Sequence, residues 1–192
     1  MPPVTLALLA ANVAVFVLQD VAGPDIITLF ALWPPGASGL PSFEVWQIVS
    51  YGFLHGSLTH IAFNMFALYM FGPDIERLFG ARFFLQYYLA CIVAAAVTHL
   101  LVTGWMGAAP GPTVGASGGM FGLLLAFGWY FPHRRLILIF PPIPMPARVF
   151  VAAYGLIELA LGVTGTARGV AHFAHLGGML GGWLMIEVRR RR

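Results

Sequence analysis

The chain contains no lysine, so all ten of its basic residues are arginines. Charged residues of either sign make up only 9% of its 192 residues, against about 25% in a soluble domain. That shortage excludes a globular surface coated with charge and makes lipid the main solvent. Cysteine is almost missing too. The single Cys91 excludes an internal disulfide, and its place in an apolar run points to packing rather than reactivity. The net charge of +3 sits on arginines in short connections and at the C-terminus. It reads as a membrane-topology signal and gives no reason to expect nucleic acid. No basic leader precedes the first apolar run, which is therefore read as a span rather than a cleaved signal.

Hydrophobic residues make up 59% of the chain, and the mean hydropathy is +0.85. A membrane span needs about 20 apolar residues. Six are expected, at about 4–19, 58–72, 83–103, 115–131, 147–163 and 171–188. The fold class is thus an all-α membrane protein, a six-helix bundle with a long loop between its first two spans. The connections separate by charge. Residues 20–57, 104–114 and 164–170 hold one arginine, Arg168, whereas 73–82, 132–148 and the tail after 188 hold nine. The positive-inside rule then puts both termini in the cytoplasm and the 20–57 loop outside. No linker or repeat marks a second domain, so residues 1–192 are read as one unit.

Polar side chains inside spans are expensive and often functional. The second span opens with His60 and Asn64, four apart and so on one helix face. The fourth opens Gly115-Ala116-Ser117-Gly118-Gly119, and the sixth carries His172 and His175. With the N-terminus inside, all three spans run inward, so His60, Asn64, Ser117 and His175 share one depth near the outer face. Gly118 and Gly122 are spaced for close helix packing, as are Gly178 and Gly182, and Gly177 and Gly181. If the Gly118/Gly122 and Gly178/Gly182 faces meet, His175 lands beside Ser117. A hydroxyl next to an imidazole is the minimal activated nucleophile. The Ser117 N–H at a helix N-terminus, with His60 and Asn64 side chains, would supply donors to an oxyanion.

Other groups carry weaker signals. Apart from Glu187 at the inner end of the sixth, Glu158 is the only acid inside an expected span, in the outer half of the fifth. It can serve as the third member of a triad, but local hydrogen bonding is the favoured reading. His55, His99 and His172 also fall near the outer face, without the spacing of a zinc motif, so no metal or cofactor is expected. Glu76 and Arg77 are expected to brace the turn after the second span.

Taken together, these features resemble the rhomboid intramembrane serine proteases. The resemblance runs from the first span to the sixth. It rests on His60-x-x-x-Asn64, Gly115-Ala116-Ser117-Gly118, Ala174-His175-x-x-Gly178-x-x-x-Gly182 and the Glu76-Arg77-Leu78-Phe79-Gly80 turn. It implies a six-helix core with no seventh span and a Ser117–His175 dyad without a carboxylate. It also implies an oxyanion site of His60, Asn64 and the Ser117 backbone. Phe121, four after the serine, would pack on the catalytic histidine. The 20–57 loop would lie in the membrane edge, and 147–163 would act as a lateral gate. Trp46-Gln47 stands where many members have Trp-Arg, so any role of that arginine does not carry over. The implied activity is hydrolysis, through an acyl-enzyme, of a peptide bond near the outer end of membrane spans. Its partners would be single-span or multi-span membrane proteins and the lipid of a cell (inner) membrane. Two other classes stay open: a non-catalytic client-binding relative, which would normally lack Ser117 or His175, and a small transporter, which would spread polar groups through the membrane depth.

Overall fold

Proline supplies the first turn of helix α1 (Pro3–Ala22), where its missing N–H costs nothing. The next two N–H groups, of Val4 and Thr5, donate to the carboxylate of Glu76, 2.9 and 2.6 Å away, and the Thr5 hydroxyl adds a third bond at 2.7 Å. A residue expected to brace its own turn thus caps a different helix. The computed structural model describes residues 1–191 except 37, 107–110, 138–141 and 166–170. After α1 come α2 (Pro24–Phe30), α3 (Gln47–Ser50), α4 (Leu58–Phe79), α5 (Ala81–Met106), α6 (Ser117–Tyr130), α7 (Ala147–Thr164) and α8 (His172–Arg190).

Two features differ from the sequence reading. Helix α4 runs on to Phe79, through Pro73, rather than ending near residue 72. Its last turns carry the charges that made 73–82 look like a connection. Buried Glu76 is satisfied by α1, and the Leu78 and Phe79 carbonyls accept from the Arg189 guanidinium at 3.0 and 3.2 Å. Between α6 and α7, Arg135–Ile137 (β1) pairs antiparallel with Pro144–Pro146 (β2), Leu136 opposite Met145. The class is helical, but the 132–148 connection holds this small ribbon.

Helices α5, α6 and α8 pack most extensively on one another and form the centre, with α4 and α1 on one side and α7 on the other. Glycine makes that centre possible. A Cβ on Gly178 would run into the Gly118 carbonyl, with the Gly118 carbonyl carbon at 2.7 Å and Cα at 2.9 Å. Backbones of α6 and α8 therefore touch, as small-residue spacing allows. Gly177 and Gly181 face the other way, onto Thr98 and Ala94 of α5.

The outer faces are apolar. Leu6, Val13 and Val17 of α1, Phe63 and Phe66 of α4, and Leu156 and Ile157 of α7 are all exposed. So much exposed apolar surface is a liability in water and natural against lipid. Helices α1, α5 and α7 are long and apolar enough to cross a membrane. By contrast α6 is only 14 residues long and largely buried.

Residues 23–57 fold over one end. Gln47, in the place discussed above for an arginine, is buried and accepts from the Trp33 N–H at 3.3 Å. Its amide donates to the Leu29 carbonyl at 3.3 Å, and the Trp46 indole donates to the same carbonyl at 3.0 Å. Gln19 ties the segment to α1 through both the N–H and the carbonyl of His55, each at 2.9 Å.

Candidate active site

The segment entering α6 is fixed on three sides. Thr113 exchanges backbone hydrogen bonds with Leu32 at 2.9 and 3.0 Å, its hydroxyl lies 2.8 Å from His99 Nε2, and the Gly115 N–H donates to the Tyr51 carbonyl at 2.9 Å. Gly115 sits at φ 131°, where a side chain would be strained, and a Cβ there would strike the His60 ring at 2.7 Å. The chain thus passes flat against His60 and turns into α6 with Ser117 in its first turn, where helical N–H groups lack partners.

The Oγ of Ser117 lies 2.8 Å from His175 Nε2. Backbone contact between Gly118 and Gly178 is what brings these two turns together. The Phe121 ring stacks on the His175 ring, with centroids 4.3 Å apart and planes 8° from parallel. His175 is buried, whereas Ser117 is half-buried and faces a cavity of about 1320 Å³. His60, Asn64, Met120, Phe121 and Tyr154 line that cavity with Ser117.

The tautomer of His60 follows from its neighbours. Its Nδ1 accepts from the Gly56 N–H at 3.4 Å, so the proton belongs on Nε2, the nitrogen that lies against Gly115. Asn64 uses one amide hydrogen on the His60 carbonyl at 2.9 Å and keeps the other. The Ser57 hydroxyl caps α4 by accepting from the His60 N–H at 3.1 Å. His55 is buried beneath, its ring 5.1 Å from that of His60 at 68°. Burial first, and His60 second, push its pKa down to about 4, so it is neutral near pH 7.

Glu158 is the residue whose place departs most from expectation. Its Oε2 lies 2.7 Å from His172 Nδ1 and 2.9 Å from His175 Nδ1, and all three side chains are buried. The His175 contact is close, but the ring N–H is not aligned for a hydrogen bond. The resemblance implied a dyad with no carboxylate, and here a carboxylate stands behind the histidine. The sequence signal was Glu158 itself, since an intramembrane acid is a functional candidate by default. These three residues also form the convergent donor set among the described residues, their ligand atoms within 4.8 Å of one another. Two of the separations are shorter than the roughly 3.3 Å edge of a tetrahedral zinc site with bonds of about 2.0–2.1 Å. They fit a carboxylate shared by two imidazoles.

Comparison with known proteins decides the lineage. The Rhomboid domain family matches residues 42–192. The chain belongs to the rhomboid family. This rhomboid is 33% identical over 161 residues to "Rhomboid protein 1, mitochondrial" of Saccharomyces cerevisiae, covering 76% of this chain and 44% of the yeast protein. It is 26% identical to "Rhomboid protease GluP" of Bacillus subtilis, over 95% of this chain and 34% of the relative. It is 27% identical to "Rhomboid protease GlpG" of Serratia proteamaculans, over 95% of this chain and 61% of the relative. The rhomboid described here therefore matches about a third to three-fifths of the length of these relatives. It is an integral membrane protein, as its family and its apolar helices together require.

Proposed function

We propose that this rhomboid is a serine protease that cuts other membrane proteins near the outer end of their spans. The observation that carries the proposal is the 2.8 Å contact between Ser117 Oγ and His175 Nε2, at the head of a buried helix and open to a cavity. His175 takes the hydroxyl proton as Ser117 Oγ attacks the scissile carbonyl. The resulting oxyanion is met by the Ser117 N–H, the His60 Nε2–H and the remaining Asn64 amide hydrogen. Collapse breaks the C–N bond, and His175 returns the proton to the leaving amine. Water, deprotonated by the same nitrogen, then hydrolyses the acyl-enzyme.

In this reading residues 1–192 form a single unit with six spans: α1, α4, α5, α6, α7 and α8. On the same reading the protein lies in a cell (inner) membrane with both termini in the cytoplasm and 23–57 outside, an orientation that the arginine distribution supports. Helix α6, at 1.5 Å per residue, is about 21 Å long, so an upright α6 with its inner end at the inner boundary of a 30 Å core would place Ser117 about 9 Å below the outer one. Single-span or multi-span substrates would enter between α4 and α7, where Phe71 and Phe150 flank the cavity. No nucleic acid, metal or cofactor has a part in this chemistry.

The test is a labelled fluorophosphonate probe applied to purified protein in detergent and in liposomes. Covalent labelling that maps to Ser117, and is lost in Ser117→Ala and His175→Ala, is the expected result. A folded protein that does not label, or labels elsewhere, would overturn the proposal.

A further inference from the structure

Resting on that reading, we propose that Glu158 is a positioning residue for His175. Its carboxylate holds the imidazole with the proton on Nδ1 and leaves Nε2 free to accept from Ser117. The stack on Phe121 fixes the plane of the His175 ring but not which nitrogen carries the proton. Only a group facing Nδ1 can do that, and Glu158 Oε2 is 2.9 Å away. When the ring takes the hydroxyl proton it becomes a cation on a buried side chain. A carboxylate at its back stabilises that cation without itself becoming protonated.

A purely structural role explains less. Glu158 sits on α7 and both histidines on α8. To brace the two helices, the 2.7 Å contact with His172 would be enough. The second contact, by the same oxygen, reaches the one histidine whose other nitrogen faces Ser117. His172 is then the anchor that holds the carboxylate in place. Catalytic hydrogen bonds are often poorly aligned before substrate binds and tighten on the way to the transition state, and the resting His175 N–H fits that pattern. Helix α7 also walls the cavity through Phe150 and Tyr154, so the carboxylate sits on a helix that borders the space open to Ser117.

The experiment compares wild type, Glu158→Gln and Ser117→Ala in liposomes, by kcat and KM on a single-span reporter and by the rate of fluorophosphonate labelling. Glutamine keeps the volume and removes the charge. Expected is a kcat at least about tenfold below wild type with KM little changed, and an equal slowing of labelling. Replacing a triad carboxylate by its amide, which leaves the geometry intact but the wrong tautomer, costs about 10⁴, so tenfold is the floor of the expected loss. A brace would instead change KM and the melting temperature while the small probe reacted at the wild-type rate, and that result overturns the inference. So does a Glu158→Gln enzyme with unchanged kcat. Should the variant not fold, ¹⁵N-histidine spectra of the wild type decide the matter: a proton on His175 Nδ1 supports the inference, and one on Nε2 overturns it. A wild type that neither cleaves nor labels defeats the serine-protease reading first, and the role of Glu158 with it.

Discussion

Replacing Gly178 with alanine adds one carbon at the point where α6 and α8 touch. That carbon would stand 2.7 Å from the carbonyl carbon of Gly118 and 2.9 Å from its Cα, with the carbonyl oxygen nearer still. Ordinary contact begins near 3.4 Å, and backbone cannot rotate away as a side chain can. The two helices must therefore part by about 1 Å. Ser117 and His175 lie one and three residues from the contact, so their 2.8 Å hydrogen bond stretches past bonding range. Overpacking of this kind costs about 1–3 kcal/mol of stability, and a displacement of about 1 Å can cost 10²-fold in rate. Turnover of a reporter in liposomes should fall about a hundredfold while circular dichroism still shows a helical protein. Gly155→Ala is the control. Its new carbon would lie 3.5 Å from the end of Met179, an ordinary contact, so activity should stay near wild type. Full activity in Gly178→Ala would refute the claim that backbone contact sets the Ser117–His175 distance.

Ser117→Ala and His175→Ala should each abolish cleavage, with the double variant no worse than either, because the pair acts as a unit; losses that multiply in steady-state assays would argue against one dyad. His60→Ala or Asn64→Ala should lower kcat by about 10²–10³, or about 2.7–4 kcal/mol, with a smaller effect on KM. Unchanged rates in both would remove them from the oxyanion site. Glu76→Gln should lower the melting temperature, since charge-assisted bonds of about 1.5–3 kcal/mol each hold the start of α1. A melting curve that matched wild type would show the cap to be idle.

Much of this arrangement was legible because membrane proteins write their topology in few symbols. Scarce charge marked a helical membrane protein, and the spacing of Gly118, Gly122, Gly178 and Gly182 marked the helix faces that could touch. What was hidden depended on contacts between distant segments. The charges at 74–82 look like a connection, yet the helix runs on to Phe79, with Glu76 bonded to α1 and the Leu78 carbonyl to Arg189. Pro144 and Pro146 mask a strand, being residues that sheets confine to edges. Gly177 and Gly181 carry a spacing that names no partner, and only the packing shows that it is α5. Glu158 was visible as an isolated acid, but its meeting with His172 and His175 depends on how α7 lies against α8, which no local pattern encodes.

The position of the cut in a substrate tests the central claim most directly. Two reporter spans, one with Gly-Pro near its outer end and one with leucine throughout, are reconstituted with the enzyme and their products sized by mass spectrometry. In the proposed reaction Ser117 attacks only backbone freed from helical hydrogen bonds, and glycine and proline free it most cheaply. Unpaired backbone groups cost several kcal/mol each in lipid, so unwinding is confined to the wet outer end. The account predicts cleavage near the outer end, faster for the Gly-Pro reporter and absent with Ser117→Ala. Equal cleavage of both reporters, or cuts at the cytoplasmic end, would contradict it.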